Sequence, residues 1–416
     1  MCPYCTTMCL MLSFLFRTLP ILLCDSFRIA CFVIVLLPGF VRFAWFYWLS
    51  SRRKSVRYGR ESCRQTLDVY LLSDRGEMSQ SCDRSGNSLE EGYVPDPTDL
   101  RGDDLRICND MEAEICAPNS GAPVVVFFTG GAWLIGYKMW GALLARTLTA
   151  AGVLVVVLDY RNYPLATVPD MVSDVDLAVL WVVGNIGKFG GNPDKIVAVG
   201  QSAGGHLMCT SLLRRAVQSL SIPNLPSSHI HELIREEDEP MQPPWRPSDL
   251  KGFVSLSAPY DLQAMEHTFS RHGLDGHLVD RIFGGKPEAF DPCKMLKICQ
   301  RNGQSLSCLL PPIQIYHGSV DKTVPHQGAE DFSNELKKVT NNDGAVTFCT
   351  YEGWSHTDPI LEGPMEADHR FHRDLFETVR EWTDSPHLTW PEDESIVKGR
   401  LCPGFLVKVG RCCNPF

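Results

Sequence analysis

The sequence predicts an α/β fold, with a mostly parallel central sheet carrying helices on both faces, and three observations point there. Short β-branched runs alternate with segments of helical length along most of the chain, which implies right-handed crossovers and a ligand site at the carboxyl ends of the strands. The run Val124-Val125-Val126-Phe127-Phe128 is apolar at every position, as in a strand buried on both faces. Gly200-Gln201-Ser202-Ala203-Gly204 follows another such run and opens an apolar helical segment. A serine alcohol is a poor nucleophile, and small residues two before and two after it allow a strand-to-helix turn sharp enough to expose its oxygen to a base.

At 416 residues the chain accommodates one large domain with attachments. Its net charge of −10 leaves no basic stripe to track a phosphate backbone, so nucleic acid is not an expected partner. Seventeen cysteines run from Cys2 to Cys413 without the framework of a small disulfide scaffold; reduced thiols on the cytosolic side are the simpler reading. The absence of any N-x-[ST] acceptor agrees with it.

In chain order, Cys2-Pro3-Tyr4-Cys5 copies a dithiol motif but has no strand ahead of it, so no redox role follows. Residues 8–50 are almost wholly apolar, interrupted by Arg17, Asp25, Arg28 and Arg42 and by Pro20 and Pro38. Residues 29–50 read as one spanning helix, with Arg42 snorkelling and Trp45, Tyr47 and Trp48 at the interface. Residues 8–24, with a central arginine, leave a second span or a re-entrant hairpin open, and the competing reading is a helical cap packed on the domain. Arg52-Arg53-Lys54-Ser55-Val56-Arg57, followed by Arg60 and Arg64, would hold the large domain on the cytosolic side.

The expected layout is therefore a membrane-anchoring region over 1–54, a catalytic domain over 55–384 with insertions near 73–123 and 221–250, and an irregular cysteine-containing tail over 385–416. Strands are expected at 65–72, 124–128, 153–158, 196–199, 252–256, 312–316 and 346–351. Helices are expected at 142–151, 170–189, 204–220, 328–339 and 368–383. The first insertion has only two faint strand signals, at 105–108 and 112–116. The second carries His229-Ile230-His231-Glu232 on a Pro-rich segment without further ligands, so no metal site is expected. His369 and His372 read as a solvated helix face. The mixed helical stretch 260–301 lies between strands, placed to act as a lid or simply to pack on the sheet. Cys413-Asn414-Pro415-Phe416 is formally a C-a-a-X box with poor central residues.

Ser202, Asp321 and His356 stand at expected strand ends in the order serine, acid, histidine, which is that of α/β-hydrolases. His356 would act as general base and then general acid, and Asp321 would fix its tautomer. Taken singly, Asp321 could merely cap a turn and His356 could be an ordinary loop residue. Gly130-Gly131-Ala132-Trp133 follows a buried strand, and its backbone N–H groups, with that of Ala203, would form an oxyanion hole. This chemistry calls for no cofactor and no metal.

Thr129-Gly130-Gly131-Ala132-Trp133, Asp159-Tyr160-Arg161-Asn162, Gly200-Gln201-Ser202-Ala203-Gly204, His317-Gly318 with Asp321, and His356-Thr357-Asp358 resemble the plant isoprenylcysteine methylesterases. These belong to a wider group of carboxylesterases, hormone-sensitive lipases and kynurenine formamidases. The likeness runs from about residue 56 to 383, and the basic, aromatic segment before it is also similar. It implies an α/β-hydrolase that removes the carboxyl methyl ester from a prenylated cysteine at endoplasmic reticulum or Golgi membranes. Ser202, Asp321 and His356 would be the triad, with Gly130, Gly131, Ala132, Gln201 and Ala203 lining the oxyanion and substrate site. Membrane lipid and a prenylated C-terminus are the implied partners. The insertions, Thr129 where many of the wider group have histidine, and the cysteine-rich tail are departures that bear on substrate range. A general carboxylesterase or arylformamidase uses the same triad, and a non-catalytic receptor of this fold typically lacks one member of it.

Overall fold

The computed structural model describes residues 19–72, 121–219, 245–275, 277–301, 305–340, 343–392 and 395–415. The dithiol motif, the two faint strands of the first insertion and the His229–His231 pair lie outside them. One sheet is built from β1 (Arg53–Arg57), β2 (Thr66–Tyr70), β3 (Ala122–Phe128), β4 (Leu154–Leu158), β5 (Gly191–Gln201), β6 (Gly252–Leu256), β7 (Ile313–Gly318) and β8 (Val346–Tyr351). Its order is β1-β2-β4-β3-β5-β6-β7-β8. The first two pairings are antiparallel and the rest parallel.

The longer helices are α1 (Leu19–Val35), α2 (Leu37–Leu49), α3 (Ala142–Ala150), α4 (Val168–Asn185), α5 (Ala203–Gln218), α6 (Leu262–Arg271), α7 (Leu278–Ile282), α8 (Pro292–Arg301) and α9 (His326–Thr340). They continue with α10 (Glu362–Met365), α11 (Arg370–Trp382), α12 (Ser395–Lys398) and α13 (Gly404–Cys413). Alternate residues of β3 feed two cores. Val124, Val126 and Phe128 pack with α4, α5 and the α6–α8 insertion, whereas Val125 and Phe127 pack with α2, α3 and α11. That division is the period of two of a strand, and burial on both sides is why β3 and β4 read as unbroken apolar runs. At the start of α4, Asp170 accepts from the Thr167 backbone N–H at 2.8 Å, half of a capping box.

The sequence expectations fail in four places. The basic cluster at 53–57 is the edge strand β1, paired with β2 through Arg53↔Tyr70 to Arg57↔Thr66. Its side chains are largely solvated, so no alternating pattern advertised a strand, and its charge deters further edge pairing. The stretch read as one span breaks at Leu36 into α1 and α2, bent by 73°. Pro38, in the first turn of α2, starts a new helix rather than continuing the old one. Among the described residues no single helix is long and apolar enough to cross a membrane, although the bent pair taken together has the length and composition of a broken span or a re-entrant loop. Tyr47, expected at an interface, is buried with its hydroxyl donating to Asp68 at 3.1 Å.

His369 and His372 are also buried, because the apolar stripe of α11 (Phe371, Leu375, Phe376, Val379) is wide enough to take His372 with it. Burial pushes His369 down to about 4 and His372 further below the usual histidine range, so both are neutral. The tail, finally, is not irregular throughout: α13 packs against α1, with Val407 and Gly410 turned inward.

Candidate active site

β5 ends at Gln201 and α5 begins at Ala203, so Ser202 alone makes the turn, with φ 52° and ψ −125°. For a residue with a Cβ this is a left-handed conformation costing of order 1–3 kcal/mol. The turn closes because no side chain stands in its way. A Cβ on Gly200 would sit 2.5 Å from the Gly205 Cα, and one on Gly204 would run into the Phe128 and Thr129 carbonyls. The Ser202 N–H donates to the Leu256 carbonyl at 2.8 Å, tying the turn to the end of β6.

Ser202 Oγ lies 2.8 Å from His356 Nε2, and His356 Nδ1 lies 2.7 Å from Asp321 Oδ2. The three side chains come from the loops after β5, β7 and β8, all at the carboxyl edge of the sheet. Asp321 is fully buried, and its other oxygen accepts the Thr323 and Val324 N–H groups, each at 2.9 Å. The capping role and the site role are thus held by one carboxylate. Burial opposes its ionisation, yet the charge of His356 and hydrogen bonds from His317 and His356 hold it well below the usual carboxylate range. It is an anion throughout the working pH range, able to fix the imidazole tautomer and favour its protonated form.

The Gly130–Trp133 loop lies against this trio. A Cβ on Gly130 would overlap the Gln201 carboxamide and come within 2.9 Å of Ser202 Cβ. Gly131, Ala132 and Trp133 all have positive φ (137°, 51° and 62°), which turns successive N–H groups to one side as in an anion-binding nest. The Gly131 and Ala132 N–H groups have no acceptor among the described residues, and that of Ala203 opens a helix, where no intrahelical acceptor exists. The Gln201 amide nitrogen sits 3.4 Å from His356 Nε2, touching the base as well as the glycine loop. The structure thus brings Ser202, Asp321, His356, Gln201 and Gly130 into contact, with Gly131, Ala132 and Ala203 next to them in the chain.

Other residues brace the site, and the sequence alone gave them no role. The Tyr160 hydroxyl donates to the Thr129 carbonyl at 2.9 Å, and Asn162 Nδ2 to the Gly136 carbonyl at 2.8 Å, which Arg64 also reaches. The Asp-Tyr-Arg-Asn motif is thus the buttress of the glycine loop. Trp133, 1% exposed, donates its indole N–H to His206 Nδ1 at 3.3 Å, while His206 Nε2 pairs with the Phe290 carbonyl at 2.8 Å. Burial pushes His206 down to about 4, so it is a neutral ring whose Nε2–H donates to the carbonyl and whose Nδ1 accepts the indole.

The loop carrying His356 is held from the C-terminal helix. Asp358 accepts the Ser355 N–H and hydroxyl on one oxygen, each at 2.8 Å, and Arg411 Nε on the other at 2.6 Å. Asn414 Nδ2 donates to Thr357 Oγ1 at 2.8 Å and to the fully buried Glu362 at 2.6 Å. No spacing rule connects residues 411 and 414 to residue 356, so the sequence held no signal for them.

Such an arrangement can carry acyl transfer: a serine oxygen beside a base, a base oriented by a buried anion, and N–H groups pointing where negative charge would develop. The BD-FAE family model matches residues 115–336. The isoprenylcysteine alpha-carbonyl methylesterase of Arabidopsis thaliana is 31% identical over 391 residues, covering 93% of this chain and 76% of that one. Esterase LipC of Mycobacterium tuberculosis is 28% identical over 275 residues, 65% of this chain and 62% of its own. A solved thermophilic esterase from Thermogutta terrifontis, 20% identical, superposes with a TM-score of 0.50 over 83% of this chain and 96% of that one, and shows the same fold. This chain accordingly belongs to the isoprenylcysteine alpha-carbonyl methylesterase family: it has an α/β-hydrolase fold and is a carboxylic ester hydrolase.

Proposed function

We propose that this protein is a membrane-associated serine hydrolase that removes the carboxyl methyl ester from prenylated cysteine through an acyl-enzyme. The observation that carries the mechanism is the continuous hydrogen-bonded chain from Asp321 through His356 to Ser202. Ser202 Oγ attacks the ester carbonyl carbon while His356 Nε2 takes its proton. The carbonyl oxygen becomes an anion, received by the N–H groups of Gly131, Ala132 and Ala203, each such donor worth about 3 kcal/mol of barrier. Collapse expels the methoxy group, which leaves as methanol with the proton from His356. Water, deprotonated by the same nitrogen, then attacks the acyl-enzyme and releases the prenylcysteine carboxylate and Ser202.

The substrate reading is supported by the names of the curated relatives and by the amphipathic α6–α8 insertion, whose Phe269 and Phe283 pack on Trp133 beside the glycine loop. In this reading the insertion serves as a lid that receives the prenyl chain. A prenyl group partitions into bilayer, so an enzyme held at endoplasmic reticulum or Golgi membranes, catalytic domain toward the cytosol, meets it at raised local concentration.

Three measurements test this. Ser202→Ala should abolish ester turnover with an unchanged melting temperature, and undiminished hydrolysis by the purified variant would refute the mechanism. The values of kcat/KM for farnesylcysteine methyl ester, its unprenylated analogue and N-formylkynurenine separate the substrate readings. No gain from the prenyl group would leave a general carboxylesterase, and preference for the formamide would make it an arylformamidase. Protease protection in sealed microsomes tests the orientation, since a protected catalytic domain contradicts it.

A further inference from the structure

The α1/α2 pair has two unlike faces. Inward, Phe32, Leu36, Phe43 and Tyr47 are buried in the domain core. The Tyr47 hydroxyl donates to Asp68, which also pairs with Arg53 and Lys138. The charged side chains of α1 turn the same way: Asp25 pairs with His272 at 2.8 Å, and Arg28 donates to the Asn414 carbonyl at 2.8 Å. Outward, Leu23, Phe27 and Ile34 on α1 and Val41, Trp45 and Trp48 on α2 are 57–70% exposed. Spacings of four, seven and three residues put each set on one helical stripe. Six exposed, large apolar side chains on two adjoining helices mark a partner surface.

Between α2, α3 and Leu401 opens a cavity of about 500 Å³, walled by Phe43, Phe46 and Leu143 and reached by two arginines. Arg42 donates to the Arg400 and Leu401 carbonyls. Arg146 has no carboxylate partner among the described residues and rests 6.0 Å over the Phe46 ring; burial lowers its affinity for its proton, a cost that an anion would offset. The exposed Arg52, Lys54 and Arg57 follow directly on α2.

We propose that α1 and α2 lie flat in one leaflet of a bilayer, their outward stripes in the acyl boundary, with the Arg42/Arg146 cavity seating the phosphate of an anionic phospholipid. The inference deepens the membrane-associated reading given above and replaces a spanning helix with an in-plane pair. Two features decide between those modes. A spanning pair would have to pull Phe43 and Tyr47 out of the core and strand Asp68 without one of its partners. An in-plane pair keeps both, and amphipathic helices of this kind sink only ~5–10 Å below the headgroups. Lipid is favoured over a protein partner by charge complementarity: uncharged stripes that include two tryptophans, with cations gathered beside them.

The test uses the full-length protein with vesicles of phosphatidylcholine, with and without phosphatidylglycerol, and phosphatidylcholine brominated either near the glycerol or near the chain end. Shallow bromines should quench tryptophan fluorescence more than deep ones, and the difference should vanish in Trp45→Phe/Trp48→Phe. Stronger quenching by deep bromines would overturn the in-plane mode. Phe27→Ser/Trp45→Ser should cut the vesicle-bound fraction about tenfold while hydrolysis of a soluble ester is unchanged, and full binding by that variant would refute the surface. Arg146→Gln should weaken the preference for phosphatidylglycerol more than Arg52→Gln/Lys54→Gln does; a preference that Arg146→Gln leaves at the wild-type level would refute the lipid seat. Because binding is measured without substrate, loss of the prenylcysteine reading would leave these outcomes readable.

Discussion

Gly130→Ala isolates the contribution of the glycine loop. The added methyl would stand 2.9 Å from Ser202 Cβ, where ordinary contact begins at 3.4 Å, so the loop or the elbow must give way by at least the difference of 0.5 Å. Neither has room to do so. Tyr160, Asn162 and Arg64 pin the loop from behind, and Gly131 is already against the Gly136 backbone. The strain therefore falls on the N–H groups of residues 131 and 132. Loss of one oxyanion donor costs about 10²–10³ in kcat, and a ~1 Å displacement of an aligned group costs a comparable ~10². Overpacking adds about 1–3 kcal/mol of destabilisation. The expectation is a kcat for a soluble acetate ester about 100-fold below wild type, KM nearly unchanged, and a melting temperature a few degrees lower. Gly187→Ala, where an added Cβ meets nothing within 4 Å, serves as the neutral control. If Gly130→Ala hydrolyses the ester within about threefold of wild type, the loop does not hold the oxyanion.

Other substitutions probe the braces. His206→Leu leaves the Trp133 N–H buried without a partner, at about 1–3 kcal/mol, and the Phe290 carbonyl with only the long 3.5 Å bond from the Thr210 hydroxyl; a melting curve should drop accordingly and kcat with it. Arg411→Gln deprives the 1%-exposed Asp358 of its cation and loosens the His356 loop, so kcat should fall about tenfold at constant KM, with partial recovery in Arg411→Lys. Asp174→Ala removes the buried carboxylate that holds Arg161 through both oxygens and leaves that cation only the largely exposed Glu61, expected to cost about 3 kcal/mol in denaturant unfolding. Glu362 is pushed up to about 7 by burial first and by Asp358 second. Its folded value lies above its ordinary one, so its contribution is full below about pH 4.5 and is lost as pH rises through about 7. Glu362→Gln should therefore melt higher than wild type near pH 8 and lose that advantage near pH 5.

The sheet was legible because its central strands are buried on both faces. Val124–Phe128 and Leu154–Leu158 carry no polar residue to blur the signal, and the helices between them start at caps such as Thr167-Val168-Pro169-Asp170. The edge was not legible. β1 is largely solvated and, Val56 apart, made of arginine, lysine and serine, residues whose pattern reports charge rather than pairing. The N-terminal helices misled for a related reason. Apolarity all round looks the same whether one side meets a core and the other a different apolar medium, or both meet lipid, and only the partners of Phe43 and Tyr47 separate the cases. His372 fell to the same ambiguity, a polar residue at the margin of a stripe wider than its spacing suggested.

The site divides along a different line. Ser202, Gly130 and Gly131 were readable because a turn at positive φ and a close approach of backbones restrict residue type locally, within five positions of chain. Asp321 and His356 were readable because strand ends recur and order is fixed by the fold. What holds those groups still obeys no local rule. Tyr160 reaches back 31 residues to Thr129, Trp133 forward 73 to His206, Asn414 back 57 to Thr357, and Arg28 across 386 to Asn414. Two of these donors reach a main-chain carbonyl that any residue supplies and two reach a side chain distant in sequence, so no residue announces its purpose alone. The chemistry of this enzyme is written in short motifs, whereas its rigidity is written in contacts between the two ends of the chain. It follows that a catalytic fragment trimmed to the matched region 115–336 would lack His356 and its braces, and one ended at residue 403 would keep the full triad yet lose Arg411 and Asn414. The second fragment should still react with an organophosphate at Ser202, but more slowly than the whole chain, by the same roughly tenfold expected of Arg411→Gln. Equal reactivity of fragment and whole would show that the strap from the C-terminal helix does not act on the histidine.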